Sequence, residues 1–249
     1  MLERITHGPV LEIRLARPPV NALNPELCAA LVDAFSPAQL HGFEGVVLSG
    51  GPKVFSAGLD VPHLLGLDRA GLSAAWAGFF AAARAIAAAP VPVVAAIGGH
   101  NPAGGCVLAL CCDYRVMARG AFRIGLNETQ VGLVVPGAIQ ALLRRVVGPH
   151  RAERLMVAGA MIESEQALAI GMVDELAEAE QVTARALHWL GELAPLPREA
   201  LLATRAIARA DLQAALAGFS ADELAGFIEQ WYAPSTQNAL QSLVSRLRK

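Results

Sequence analysis

One stretch in the middle of the chain restricts the possible fold more than any other. Residues 91–97 form a short apolar run, residues 98–105 are rich in glycine and contain a proline, and residues 106–112 are apolar again. This order predicts a buried strand, a tight loop and a buried helix. A chain built around such a unit needs further strands and helices to cover it, as in α/β proteins.

The glycine-rich loop is also a candidate binding site. Glycines at the start of a helix let a ligand approach backbone N–H groups that have no partner inside the helix. Such N–H groups suit an oxygen that gains negative charge. Further along the chain, the lone acid Glu128 stands between the apolar residues Ile124 and Leu126 and a second glycine-containing segment. Two interpretations stay open on these residues alone: an oxyanion site with a base, which indicates acyl chemistry, or a packed strand-to-helix junction with a surface glutamate.

The composition permits a large hydrophobic core, and the net charge provides no general attraction for polyanions such as nucleic acid. Of the 249 residues, 54% are hydrophobic and 17% are charged, which fits one large domain or a domain with an appendage. The net charge is −2, so we expect neither nucleic acid nor a membrane surface as a partner. The first residues resemble neither a signal peptide nor a transit peptide, and we expect a cytoplasmic location.

One segment has the apolar composition of a membrane-spanning helix. Residues 74–99 are strongly apolar, but Arg84, Pro90 and Pro92 divide them into a helical half and a strand half. We therefore interpret them as part of a soluble core.

The cysteines and histidines indicate neither disulfide bonds nor a metal site. Three of the four cysteines lie in the apolar segment 106–112, and none form a C-x-x-C pair. No two of the six histidines are four residues apart. We expect buried, reduced thiols and no bound metal ion.

Strand and helix patterns alternate along most of the chain. Residues 10–15 alternate apolar and polar side chains, which predicts a strand covered on one face. Gly45–Ser49 is apolar throughout and predicts a strand covered on both faces. Another strand is predicted at residues 113–117, and helices are predicted at residues 25–40, 70–88, 136–147 and 150–158, with a short helix capped by Ser164.

From residue 178 onward the pattern is helical to the end of the chain. We therefore predict an α/β fold of repeated strand–helix units, with a core at residues 1–194 and a helical region at residues 195–249.

Several motifs, which follow one another along the chain, make the prediction of fold and function more specific. They are Pro19-Val-Asn-Ala-Leu23, Val54-Phe-Ser-Ala-Gly-Leu-Asp60, Pro102-Ala-Gly-Gly-Cys106 and Cys112-Asp113, followed by the segment 148–171. Together they resemble the crotonase family, the enoyl-CoA hydratase/isomerase superfamily, over nearly the whole chain. The run Ile124-Gly-Leu-Asn-Glu-Thr-Gln-Val-Gly132 resembles the mitochondrial-type Δ3,Δ2-enoyl-CoA isomerases within it.

The resemblance implies a spiral of ββα repeats whose helical C-terminal region also contacts neighbouring subunits, in a homotrimer or a dimer of trimers. The substrate would be an acyl-CoA thioester, with no separate cofactor because coenzyme A is part of the substrate. The backbone N–H groups of Leu59 and Gly104 would bind the thioester oxygen, and Glu128 would be the acid–base group. The CoA and acyl path would be lined by Val20, Ser56, Ala57, Gly58 and Asp60, with Asn127 beside the acyl chain.

One departure from the family pattern separates two reactions. The hydratases of the family carry two glutamates, and here the first of these positions is Val107, while the second is Glu128. Moving a double bond needs one group that removes a proton and returns it elsewhere, which a single carboxylate can do. The resemblance therefore implies an isomerase of 3-enoyl-CoA thioesters in fatty-acid β-oxidation. The alternatives are an enoyl-CoA hydratase or another crotonase-type acyl-CoA enzyme, and, in a different class, a binding protein for a partner such as RNA.

The sequence leaves two questions open: which residues bind the CoA phosphates, and where three aromatic side chains lie. Lys53, Arg246, Arg248 and Lys249 are candidates to hold the CoA phosphates. Trp76, Phe79 and Phe80 belong either to the core or to the wall of the acyl pocket, with the core as the default for large aromatic side chains.

Overall fold

A six-stranded, mostly parallel sheet lies at the centre of the protein, which a computed structural model describes for residues 1–247. The strands of the described chain are β1 (Leu2–His7), β2 (Val10–Leu15), β3 (Gly45–Ser49), β4 (Val93–Ile97), β5 (Asn101–Pro102), β6 (Tyr114–Ala118), β7 (Arg123–Gly125), β8 (Ile162–Glu163) and β9 (Glu175–Ala177). The large sheet has the order β1-β2-β3-β4-β6-β9, and β5, β7 and β8 form a second, small sheet.

Helices cover both faces of the large sheet. They are α1 (Pro25–Ala34), α2 (Pro37–Leu40), α3 (Val61–Leu64), α4 (Arg69–Ala87), α5 (Gly104–Leu110), α6 (Gly137–Val147), α7 (Pro149–Ala158), α8 (Ser164–Ala169), α9 (Val182–Leu193), α10 (Arg198–Ala208), α11 (Ala210–Ala217), α12 (Ala221–Trp231) and α13 (Pro234–Leu247). The main core contains α1, α4, α5 and α6, while α9 packs on the opposite face. The α/β class predicted from the sequence is confirmed.

The central strands are buried on both faces because helices lie above and below them. Every residue of β3 and β4 is buried, as their continuous apolarity predicts. Helix α4 is long and apolar enough to cross a membrane by composition, but Trp76, Phe79 and Phe80 pack inside the protein. The segment is therefore a core helix, as the sequence indicates.

The prediction that residues 10–15 are covered on one face is wrong. Strand β1, which the sequence did not reveal, pairs with β2 and turns it into an interior strand. Glu12 is consequently buried, with its carboxylate bonded to Ser49 Oγ at 2.6 Å, to His7 at 2.8 Å and to Arg14 at 2.9 Å. Burial opposes ionisation, but these hydrogen bonds outweigh it and lower the pKa of Glu12.

Two local predictions are also corrected. The helix expected at residues 25–40 is interrupted at Ser36, which caps α2, because Pro37 cannot continue α1 and instead begins a new helix. Ser164 does not cap α8. Its buried hydroxyl bonds to the backbone N and O of Gly120, at 3.1 and 2.8 Å, and so fastens a neighbouring turn.

A buried ion cluster joins the C-terminal helices to the core. The carboxylate of Asp113, at the start of β6, receives two hydrogen bonds of 2.8 Å from Arg205 and one contact of 3.0 Å from Arg209. Arg209 also donates to the carbonyl oxygens of Ala87 and Cys111, at the ends of α4 and α5. The boundary proposed at residue 194 stays a prediction.

We expect Asp113→Asn to lower the free energy of unfolding by about 3–5 kcal/mol, because it leaves the buried guanidinium of Arg209 and the partly buried one of Arg205 without a compensating charge. Urea denaturation followed by circular dichroism measures the effect. Glu163→Gln is the matched control, since it breaks an exposed ion pair with Arg123 and should cost less than about 1 kcal/mol. Equal losses in the two variants would contradict the role given to Asp113.

Candidate active site

Two backbone segments meet closely at one edge of the large sheet. Gly58 has a left-handed φ of 82°, and a Cβ atom placed on it would lie 3.0 Å from the backbone nitrogen of Gly104. A Cβ atom placed on Gly104 would lie 3.3 Å from the backbone nitrogen of Leu59. The structure therefore brings together the N–H groups of Leu59 and Gly104, as the sequence predicts. Glycine at both positions permits this approach.

Neither of these N–H groups donates a hydrogen bond within residues 1–247. Gly104 is the first residue of α5, where no carbonyl of the helix can reach its N–H. Leu59 lies in a parallel bridge with Leu23. The two hydrogen bonds of that bridge run from Leu23 N–H to Gly58 O and from Asp60 N–H to Leu23 O, so they do not use the N–H of Leu59. Two unbonded donors side by side can hold an oxygen that gains negative charge.

Ser56 and its neighbours hold this loop in place. The hydroxyl of Ser56 is fully buried, donates to Asn21 O at 2.8 Å and accepts from Gly58 N at 3.2 Å. The N–H of Ala57 donates to Val20 O at 2.9 Å. Ser56, Ala57, Gly58 and Val20 therefore lie together beside the two donors, while their contact with a substrate stays a prediction.

Asp60 fastens the far end of the same loop. Its carboxylate caps α3 by accepting a hydrogen bond of 3.1 Å from the N–H of His63. The same carboxylate forms an ion pair with Arg17, with 2.7 Å between the nitrogen and oxygen atoms. Arg17 also donates to Ala22 O at 2.9 Å. The carboxylate of Asp60 thus links its own loop to the loop that contains Arg17 and Ala22.

Glu128 lies close to the first turn of α5. It begins the 3₁₀ turn Glu128–Val131, which follows β7, and β7 pairs with β5 directly before α5. The N–H of Ala103 donates to Gly125 O at 2.8 Å. Burial raises the pKa of the Cys106 thiol, and the negative charge of Glu128 raises it further. The carboxyl group of Glu128 is therefore a near neighbour of the helix that carries Gly104.

The carboxyl group of Glu128 is shielded from water. The residue is 7% exposed, and its Oε2 atom has no hydrogen-bond partner among the described residues. Burial raises the pKa of Glu128 to about 7, because a charge without partners is unfavourable in apolar surroundings. A carboxyl group with this pKa can both accept and donate a proton near neutral pH.

Apolar side chains surround the two donors. A Cβ atom placed on Gly104 would lie 3.3 Å from the ring of Phe79 and 3.2 Å from Leu23 Cδ1. Phe79 is thus both core and wall of the site, whereas Trp76 packs against Phe227 with 4.1 Å between ring centroids. Sequence analysis did not single out Leu23, although it belongs to the quoted motif 19–23. Val107, on α5, is fully buried.

For the remaining predicted residues, the structure gives a location and an exposure but no contact that bears on their proposed roles. Asn127 is half-buried directly before Glu128 and makes no capping hydrogen bond with its side chain. Lys53 and Arg246 are exposed. Arg248 and Lys249 lie outside the described residues. The roles proposed for these five residues stay predictions.

Comparison with known proteins identifies the family of the chain. The family model described as enoyl-CoA hydratase/isomerase matches residues 6–247. The chain belongs to the enoyl-CoA hydratase/isomerase family.

Individual relatives include both named activities. The chain is 32% identical over 243 residues to the mitochondrial enoyl-CoA delta isomerase 1 of Homo sapiens, which covers 96% of this chain and 80% of the relative. It is 35% identical over 193 residues to a probable enoyl-CoA hydratase of Mycobacterium avium, covering 77% of this chain and 75% of the relative.

A solved structure confirms the crotonase fold. The crystal structure of human mitochondrial delta3-delta2-enoyl-CoA isomerase superposes with a TM-score of 0.93 at 31% identity, covering 99% of this chain and 98% of that one.

The raised pKa of Glu128 has a consequence for stability. The buried carboxyl favours the folded state fully below the ordinary pKa of 4.5, and this contribution is lost as the pH rises through about 7. Glu128→Gln stays neutral, so we expect it to gain stability over the parent as the pH rises, by about 3 kcal/mol above pH 7. Urea unfolding of both proteins between about pH 4.5 and 8 measures this gain. Glu153→Gln, at an exposed position on α7, should show no comparable gain, and a flat difference for Glu128→Gln would refute the assigned burial effect.

Proposed function

We propose that the protein is a Δ3,Δ2-enoyl-CoA isomerase of fatty-acid β-oxidation, which converts 3-enoyl-CoA thioesters to trans-2-enoyl-CoA. One observation carries the proposal: the buried carboxyl of Glu128, whose Oε2 has no hydrogen-bond partner among residues 1–247, lies near helix α5, and the first N–H of that helix lies beside the N–H of Leu59. Val107 stands where the hydratases of the family carry their first glutamate. The similarity to the human isomerase supports the choice.

The proposed reaction moves one proton and one double bond. The thioester oxygen accepts hydrogen bonds from Leu59 N–H and Gly104 N–H. The Glu128 carboxylate removes a proton from C2, the electrons of that C–H bond form a dienolate, and the negative charge resides mainly on the oxygen. Glu128 then returns the proton to C4, and the double bond forms between C2 and C3. Nothing is oxidised, and no second substrate is consumed.

The environment of Glu128 suits both proton transfers. A pKa of about 7 makes the carboxylate a stronger base than an exposed glutamate and leaves its acid form available for the return step. Burial also keeps water from exchanging the proton or adding to the double bond. Removing one of the two N–H donors would cost about 3 kcal/mol of transition-state stabilisation.

We further propose that the protein acts as a homotrimer or a dimer of trimers. Val157 on α7 and Ile207 on α10 are strongly exposed apolar side chains that such an interface could cover. The cytoplasmic location and a role of Lys53 and Arg246 at the CoA phosphates stay predictions.

The direct test is Glu128→Gln, assayed with 3-hexenoyl-CoA. We expect isomerisation to fall at least about a hundredfold, because the amide cannot take the C2 proton, and Glu153→Gln should match the parent. Hydration of crotonyl-CoA is measured with the same samples. Parent-like isomerisation by Glu128→Gln would exclude the mechanism, and faster hydration than isomerisation by the parent would favour the hydratase alternative.

Gly58→Ala tests the pair of N–H donors. The added Cβ atom would lie 3.0 Å from Gly104 N, so we expect the donors to be displaced and kcat to fall about 10²–10³-fold. Gly8→Ala is the matched control, because Gly8 also has a positive φ of 59° but open space at the Cβ position. Steady-state kinetics with 3-hexenoyl-CoA compares the two variants. A similar kcat in both would show that the approach of Gly58 to Gly104 is not needed for the reaction.

A further inference from the structure

The turn that carries Glu128 is closed by Gly132. Gly132 adopts a left-handed conformation with φ of 76°, and its N–H donates to the carbonyl oxygens of Glu128 and Thr129. The N–H of Leu133 donates to Glu128 O at 3.0 Å. The position of Gly132 and the position of Glu128 are therefore linked by the backbone hydrogen bonds of a single turn.

The C-terminal helix binds this turn at Gly132. The hydroxyl of Thr236, near the start of α13, donates to Gly132 O at 2.9 Å, and Thr236 is 2% exposed. A Cβ atom placed on Gly132 would lie 3.3 Å from Thr236 Cα. Helix α13 thus rests directly on the end of the turn, with a part-buried side-chain hydrogen bond between them.

The same helix reaches the other half of the site. Helix α13 packs against α3, which follows the N–H donor Leu59 by two residues. At the other side of the turn, Thr129 Oγ1 donates to Met156 O at 3.2 Å, and Gln130 donates to Gly159 O at 2.8 Å. The turn of Glu128 is therefore clamped between the end of α7 and the start of α13.

We propose that Thr236 is a positioning residue for Glu128: its buried hydroxyl fixes the end of the turn and so holds the carboxyl group in its dry position beside α5. The proposal rests on the isomerase function given above. The side chain of Thr236 belongs to a residue that is 2% exposed, whereas Thr129 and Gln130 are exposed residues. Water therefore replaces the bonds of Thr129 and Gln130 more readily than the bond of Thr236. Loss of the Thr236 hydroxyl should therefore loosen the turn and admit water to Glu128.

The charges around Glu128 make its titration a readout of this loosening. Burial is the cause that raises its pKa. The thiol of Cys106, on α5, lies within the electrostatic influence of Glu128. The charged side chains of α7 and of the described part of α13 are all exposed: Arg151, Glu153, Arg154 and Arg246. Entry of water therefore lowers the pKa of Glu128 toward its ordinary value, and the acidic limb of the pH–rate profile moves to lower pH.

The experiment compares Thr236→Val, Thr236→Ser and Ser242→Ala with the parent in kcat and KM for 3-hexenoyl-CoA over a range of pH. Valine keeps the shape of threonine without the hydroxyl, and serine keeps the hydroxyl. Ser242 lies on the same helix, and its exposed hydroxyl donates only to Asn238 O, at 2.8 Å. If Thr236→Val does not fold by circular dichroism, Thr236→Ala takes its place.

For Thr236→Val we expect kcat to fall about tenfold or more, with little change in KM, because a displaced acid–base group weakens the transition state more than binding. Its acidic limb should move below that of the parent, Thr236→Ser should restore both properties, and Ser242→Ala should behave like the parent. A parent-like kcat and pH profile in Thr236→Val would overturn the proposal, as would an equal loss in Thr236→Ser. Absence of isomerisation in the parent itself would instead overturn the proposed function.

Discussion

The close approach of Gly58 to Gly104 is the contact on which the rest of the site depends. The two loops meet because β3 and β4 are parallel neighbours, so the segments that follow them leave the sheet at the same edge. A side chain at either glycine would separate the backbones, whose nitrogens must lie side by side. Several polar bonds then serve this contact, among them the hydroxyl of Ser56 and the ion pair between Arg17 and Asp60.

The site combines a destabilising carboxyl with a rigid surrounding structure. Glu128 is buried, and its Oε2 has no partner among residues 1–247, which weakens the folded state at neutral pH but gives the carboxyl the basicity that the proposed reaction needs. The protein offsets such costs elsewhere, since Asp113 joins two arginines of the C-terminal helices to the core. The unfavourable buried carboxyl thus lies at the proposed reacting position, and the paired charges lie elsewhere, at the opposite end of α5.

The sequence predicted those features that depend on local pattern. The continuous apolarity of Gly45–Ser49 and the glycines before α5 led to confirmed elements, while the catalytic role of Glu128 stays a prediction. Failures occurred where distant segments decide the outcome. Glu12 is buried because β1 and Ser49 cover it, and Ser164 bonds to Gly120 across 44 positions of the chain. The small second sheet was missed because its strands have only two or three residues, too few to show a period.

The bond between Gly132 and Thr236 spans 104 positions of the chain, and that between Asp113 and Arg205 spans 92. During synthesis on the ribosome, the turn with Glu128 therefore emerges long before the helix that rests on it. Contacts of such separation form late, because closing a long loop has an entropic cost that later contacts must offset. Until α13 has been released and docked, the turn lacks one of its two supports, so we expect the dry form of Glu128 to appear only in the finished protein.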